Sequence, residues 1–379
     1  MQQISKRATN LTSSPLYVFA KKVKEQEAKG RKIISLGLGE PYYDTPEIIK
    51  QAGIEAIKND KTHYNPAQGS MALRKKIAEI YQVEVECVSV STGAKPFLGS
   101  ILWSLVDEGD LVFMTGPYYP PFFQIAQSCG GKVVLINTKP TDFQLKADVL
   151  DEIFASNNTA EKKSFIIINS PNNPSGVTYE KDELEKIVEV CKKNNVIIIS
   201  DECYSNFSPD PQFSLRQFNP EIIVINSLSK SHAMTGWRIG YAICPSDLNV
   251  AIGRFLENYI GCPSSISDAA AVVALESEST LPNLTEQREI VHSWLSKMKI
   301  SYAKSTGGIF IFPDFADVMK KLNLKSSVEL ATYFLEKAGV ATTPGISFGE
   351  KYDTHLRLSY CIKPDELKLA LQELEKVII

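Results

Sequence analysis

Three apolar runs in this chain end in short polar clusters whose residue types can do chemistry. Run 165–169 is followed by Ser170-Pro-Asn-Asn173-Pro-Ser-Gly176, run 196–200 by Asp201-Glu-Cys-Tyr204, and run 222–226 by Ser227-Leu-Ser-Lys230. A lysine amine is a nucleophile towards carbonyl carbon, and carboxylates and phenols can hold charge or a proton in place. Each cluster by itself has an ordinary reading: a Pro- and Asn-rich turn, a helix-capping Asp, a solvated Lys. On neighbouring strands of an open α/β sheet they would share one crevice, because ligands bind beyond the carboxyl ends of such strands. A fourth stretch, Ser91-Thr-Gly93-Ala94-Lys95, follows an apolar run and opens a helical one. The free N–H groups of a helix start suit an anion such as phosphate.

The segment Ser227-Leu-Ser-Lys230-Ser-His-Ala-Met-Thr-Gly-Trp-Arg238-Ile-Gly-Tyr241 resembles the cofactor-lysine segment of class I and II aminotransferases, including the Arg eight residues after the Lys. Asn173-Pro-Ser-Gly is similar to the family's Asn-Pro-Thr-Gly element, with Ser175 in place of Thr. Asp201 and Tyr204 keep an Asp-x-x-Tyr spacing, and Gly39-Glu-Pro and Leu356-Arg357-Leu-Ser-Tyr360 resemble the outer landmarks. The likeness runs from the first helix to the last domain. It implies the fold type I architecture, pyridoxal 5'-phosphate as cofactor, and transfer of an amino group from an L-amino acid to a 2-oxo acid through a Schiff base on Lys230.

Roles follow from the same resemblance. Lys230 holds the cofactor aldehyde and shuttles a proton, Asp201 pairs with the pyridine nitrogen, and Tyr204 and Asn173 hydrogen-bond the ring hydroxyl. Gly93, Ala94, Ser227 and Arg238 fall where the family binds phosphate, and Tyr119, in Pro117-Tyr-Tyr-Pro120, where it stacks a ring on the cofactor. Tyr64 matches a tyrosine that reaches the phosphate of a neighbouring subunit, which implies a homodimer. Arg357 would grip the substrate α-carboxylate with its planar fork, helped by the Gly39 N–H. Lys95 has two open readings: a contact for the side-chain carboxylate of an acidic substrate, aspartate with 2-oxoglutarate as acceptor, or a solvated or phosphate-bound lysine. An aromatic substrate remains an alternative, with Tyr17, Phe19 and Tyr119 lining a more apolar pocket. So does a carbon–sulfur lyase, which would share Lys230, Asp201 and Arg357.

The elements that must position these groups are legible as periodicity. Candidate strands fall at 87–92, 111–115, 132–137, 165–169, 196–200, 222–226 and 237–244, with helical patterns between them, as in 180–193 where Leu184, Ile187, Val188 and Cys191 repeat at helix spacing. Runs apolar on both faces are those of central parallel strands. The expected fold is α/β: a large domain (42–282) with a mostly parallel seven-stranded sheet covered by helices, and a smaller α+β domain from 1–41 and 283–379. In the latter, helical runs at 281–298, 327–339 and 363–376 separate strands at 309–313 and 355–359.

Composition narrows the class of partner. Lys plus Arg number 41 against 44 Asp plus Glu, so no bulk attraction to nucleic acid or an anionic membrane is expected. Seven scattered cysteines without a CxxC suit reduced thiols and a cytoplasmic setting, and four histidines without an HxxxH give no zinc pattern. Residues 1–24 carry only basic charge, which fits either a transit peptide or a first helix; the Leu16, Phe19, Ala20, Val23 stripe after Ser14-Pro15 favours the helix. No G-x-G-x-x-G follows a first strand, which argues against a dinucleotide-binding dehydrogenase.

Overall fold

Alternation along the central strands sorts their side chains onto two faces, and the rest of the large domain is arranged to cover both. A computed structural model of the chain describes residues 4, 5, 8, 9, 11, 15–159, 162–211, 213–277 and 282–379, the side chains of 15–18 apart. Its strands are β1 (Ile34–Ser35), β2 (Val88–Ser91), β3 (Leu111–Gly116), β4 (Lys132–Asn137), β5 (Ser164–Asn169), β6 (Val196–Asp201), β7 (Ile223–Ser227), β8 (Gly240–Ile243), β9 (Phe310–Ile311), β10 (Val340–Ala341), β11 (Thr343–Pro344) and β12 (Leu356–Ser359). Seven of them form one sheet in the order β2-β8-β7-β6-β5-β3-β4, parallel except for β8, which runs against both its neighbours. The expected α/β class and seven-stranded sheet are therefore present.

Every residue of β3 and β5 is buried, which is why these runs show no polar face. In β5, Phe165 and Ile167 enter one core with Phe97, Ile101, Met114 and Ile225, while Ile166 and Ile168 enter another with Phe113, Leu184, Ile187 and Val224. Helices Ala94–Leu105 and Lys181–Lys193 supply these opposite covers. From β3 the chain moves outward to β4, and from β5 it moves the other way through β6 and β7. The order reverses between β3 and β5, where an open sheet leaves a crevice at the strands' carboxyl ends.

A third core belongs to the smaller α+β part. Phe19 of helix Pro15–Ala28 and Leu36 join Trp294, Leu295, Phe310, Phe315, Phe334, Leu356 and Leu374 from the last hundred residues. Around it lie the antiparallel sheet β11-β12-β9 and the parallel pair β1-β10. Helix 285–297 covers most of the expected 281–298 run, but Leu281 lies outside the described residues, as do Ser14 and the Leu16 side chain of the first helix's expected stripe. The expected strand 237–244 shortens to β8 because Arg238 has φ 59°, left-handed backbone that a strand cannot contain. Strand 309–313 likewise shrinks to two paired residues, Phe310–Ile311.

Candidate active site

The carboxyl ends of β5, β6 and β7 open into a cavity of about 440 Å³, lined among others by Gly39, Lys95, Asn173, Asp201, Lys230 and Arg357. Lys230 arrives there through a single helical turn, Leu228–Ser231, that starts directly at the end of β7. The Ser227 hydroxyl caps that turn by accepting the Ser229 N–H at 3.2 Å. The Lys230 Nζ donates to the Gly39 carbonyl oxygen. Burial pulls the amine's pKa below the ordinary lysine value, partly opposed by the Glu40 carboxylate. Gly39 has no room for a side chain: a Cβ there would sit 2.8 Å from the Phe310 ring.

Asp201 is the last residue of β6, and its Oδ1 accepts the Cys203 N–H at 3.0 Å. Burial raises its pKa, while the bonds with Cys203 act in the opposite sense. Arg357, on β12, is 4% exposed. Its Nη1 donates to Asn173 Oδ1 at 3.0 Å and its Nη2 to the Gly37 carbonyl at 2.8 Å. The guanidinium carbon lies 4.1 Å from the centre of the Phe310 ring and 5.1 Å from that of Phe348, a cation between two aromatic faces. Burial lowers its pKa to about 10, so it stays charged at neutral pH. Among the described residues neither Asp201 nor Arg357 has an ion-pair partner, and the Arg357 Nε has no acceptor. Buried charges without counter-charges are costly, and a ligand bearing a cationic nitrogen and an anionic carboxylate would supply both.

At the other end of the cavity, helix Ala94–Leu105 begins without a side-chain cap, leaving backbone N–H groups free for an anion. Gly93 has φ 98°, and a Cβ there would lie 2.6 Å from the Arg238 guanidinium, so glycine lets this arginine close on the helix start. Arg238 is tethered by donating to the carbonyls of Thr235 (3.0 Å) and Thr92 (3.2 Å). Tyr204 is buried with its ring edge-on to Phe310, and burial pushes its phenol pKa well up. Tyr119 follows β3 and lines the cavity with its ring edge against Phe122. These residues fit pyridoxal phosphate: an amine for the aldehyde, an acid for the ring nitrogen, and a helix start with an arginine for the phosphate.

Among the sequence-derived site residues, Tyr64 is apart from the rest. It is 99% exposed and outside the cavity of its own chain. Phe19, which the aromatic alternative would put in a more apolar substrate pocket, packs in the third core instead, 6% exposed, because the first helix buries its apolar stripe against the small domain. The Tyr17 side chain lies outside the described residues. Periodicity passed over Asn169, Phe310 and Phe348. Asn169 Oδ1 accepts the Asn173 N–H at 2.8 Å while its Nδ2 donates to the Asp201 carbonyl at 3.1 Å, spacing two strand ends. A polar residue closing the apolar run 165–168 was its only signal; the two phenylalanines look like core in sequence and had none.

The family model for class I and II aminotransferases matches residues 31–374. The probable aspartate/prephenate aminotransferase of Aquifex aeolicus is 35% identical over 99% of this chain and 98% of its own length. The probable N-acetyl-LL-diaminopimelate aminotransferase of Bacillus subtilis is 32% identical over 99% of this chain and 96% of its own. The structure of Thermus thermophilus aspartate aminotransferase with maleate superposes with a TM-score of 0.91 at 28% identity, covering 100% of both chains. With the whole length aligned and the cavity fitted to the cofactor, the chain belongs to the class I and II aminotransferases and is a pyridoxal-phosphate-dependent aminotransferase.

Proposed function

We propose that this enzyme takes its amino group from an acidic L-amino acid, aspartate first, and passes it to 2-oxoglutarate, with Lys230, Asp201 and Arg357 as the central groups. The observation that carries this reading is the convergence of a half-buried amine, a half-buried acid and a buried guanidinium without an ion-pair partner among the described residues on one cavity. When bound, pyridoxal phosphate supplies an aldehyde carbon and a ring that withdraws electrons. Lys230 Nζ, its proton affinity lowered by burial, would hold that carbon and, once displaced by the substrate amine, would carry the proton between the substrate α-carbon and the cofactor. Asp201 would keep the ring nitrogen protonated, and Asn173 and Tyr204 would hold the ring hydroxyl. Arg357 and the Gly39 N–H fix the substrate carboxylate. Gly93, Ala94, Ser227 and Arg238 would hold the phosphate, and Tyr119 would stack on the ring. Tyr64 completes the phosphate site of a second copy in a homodimer; its near-total exposure in one chain supports this. The division into domains 42–282 and 1–41 with 283–379 belongs to the same reading, supported by the separate core around Phe19 and Phe334.

Lys95 supports the acidic substrate: it lines the cavity beside the helix start, and no acidic partner holds it among the described residues. The Aquifex relative is named a probable aspartate/prephenate aminotransferase. The test is the visible absorbance of the cofactor-loaded enzyme before and after L-aspartate without a keto acid. Loss of the yellow band with one oxaloacetate per cofactor is the expected result. No change with aspartate, but bleaching by aromatic amino acids, would reject the acidic reading. Pyruvate and ammonia from cysteine-type substrates would indicate a lyase. In the same assay, Lys95→Ala should lower the ratio of aspartate to alanine kcat/KM by roughly tenfold, the loss of one charge-assisted bond. An unchanged ratio removes Lys95 from specificity.

A further inference from the structure

Asp201 ends β6 and a second acid, Glu202, follows it directly, the two side chains turned to opposite sides. Asp201 faces the cofactor cavity, while Glu202 points away from it into the interior, 3% exposed. Its Oε1 accepts the Ser200 hydroxyl at 2.9 Å, the Ser214 hydroxyl at 2.9 Å and the Leu215 N–H at 3.1 Å. Its own N–H donates to the Ile225 carbonyl at 2.9 Å, and its carbonyl accepts the Ser205 N–H at 2.9 Å. One residue thus ties β6, β7 and segment 214–215 together at the base of the site.

No basic side chain pairs with this carboxyl among the described residues. The ionisable groups facing it are the adjacent Asp201, Tyr81 from helix Met71–Tyr81 and Tyr241 from β8. Arg216, on the clamped segment, turns its guanidinium to the Ile222 carbonyl at 2.7 Å. Tyr81 is linked onward: its hydroxyl accepts Asn226 Nδ2 at 3.1 Å, and Asn226 Oδ1 accepts the Ser227 N–H at 2.7 Å. Asn226 Nδ2 also donates to the Ser205 hydroxyl at 3.4 Å, and the Ser205 N–H donates to the Glu202 carbonyl, so hydrogen bonds join Glu202 to the start of the Lys230 turn. Burial raises the Glu202 carboxyl to about 7, against the three hydrogen bonds that favour its charge, so its charge changes around neutral pH.

We propose that Glu202 is a positioning residue of the aminotransferase site: a buried acid that clamps the end of β6 and, through its charge, raises the proton affinity of the Asp201 side of the cavity. This rests on the reading that Asp201 pairs with the ring nitrogen. Glu202→Gln keeps the shape and an acceptor for the clamp but removes the charge. In the cofactor-loaded enzyme, the pH midpoint of the visible absorbance change is expected to fall by about half a unit, because a nearby negative charge that favoured the protonated form is gone.

Thermal melts of the cofactor-free protein give a second readout. The folded carboxyl binds its proton more tightly than the unfolded one, so wild type loses stability as pH rises from the ordinary glutamate range through about 7. The Tm of Glu202→Gln relative to wild type should therefore be higher at pH 8 than at pH 5. Glu202→Ala should lose activity that Glu202→Gln retains, since only alanine removes the acceptor. If the Gln variant does not fold, Ser214→Ala weakens the charged form and should move the midpoint the same way. An unmoved midpoint together with a pH-independent Tm difference overturns the proposal. Asp201→Asn separates the two readings. If it shifts the midpoint and Glu202→Gln does not, only the Glu202 inference fails; if neither shifts it, the Asp201 assignment fails first.

Discussion

Lys230→Ala is expected to lower turnover by at least about 10⁴-fold while leaving the protein folded and able to hold the cofactor. On the proposed reading the amine has two jobs that no neighbour can take over: covalent attachment to the cofactor and proton transfer between substrate and cofactor. Its surroundings make both feasible, because burial depresses its proton affinity and the one-turn helix after β7 aims it into the cavity. Among the described residues the side chain makes one hydrogen bond, to the Gly39 carbonyl, so its loss should cost about 1 kcal/mol of stability. Borohydride treatment of the loaded wild type should leave the cofactor's mass on the peptide containing Lys230, and the variant should show no such adduct. Retained turnover, or an adduct on another lysine, would move the catalytic centre.

Arg357→Ala should weaken binding of a non-reactive dicarboxylate by roughly 2–5 kcal/mol, about thirtyfold to several thousandfold in Kd. The guanidinium is already held by Asn173, the Gly37 carbonyl and two aromatic rings, so little ordering remains to be done when a carboxylate arrives. Arg357→Lys should recover only part of the loss, because an ammonium cannot form the two parallel bonds or lie flat between Phe310 and Phe348. The alanine variant should not be much less stable without ligand, since it removes a buried charge that has no counter-charge. Equal dicarboxylate affinity in wild type and variant would place the carboxylate site elsewhere.

Much of the framework was readable because local rules and the final fold agree. β5 reads as a doubly covered strand since Phe165 to Ile168 must fill two cores at once, and helix Lys181–Lys193 reads from Leu184, Ile187, Val188 and Cys191, all of which are buried. The ends of such elements were less legible. Arg238 breaks what looks like a longer strand because its left-handed backbone serves the contact with the helix start at Gly93.

By itself the sequence determined which residue types stand at the strand ends, Asn173, Asp201 and Lys230, since apolar runs stop where the sheet meets its crevice. Tertiary structure alone decided that Arg357 is buried. Leu-Arg-Leu-Ser reads as a strand with one solvated face, and the rings that cover this arginine come from positions 310 and 348, which nothing local links to it. It also decided the fates of two adjacent acids. Asp201 and Glu202 are neighbours at the end of β6, yet one side chain lies in the cavity and the other under three hydrogen bonds in the interior. Which face is which depends on what the rest of the chain packs against each side.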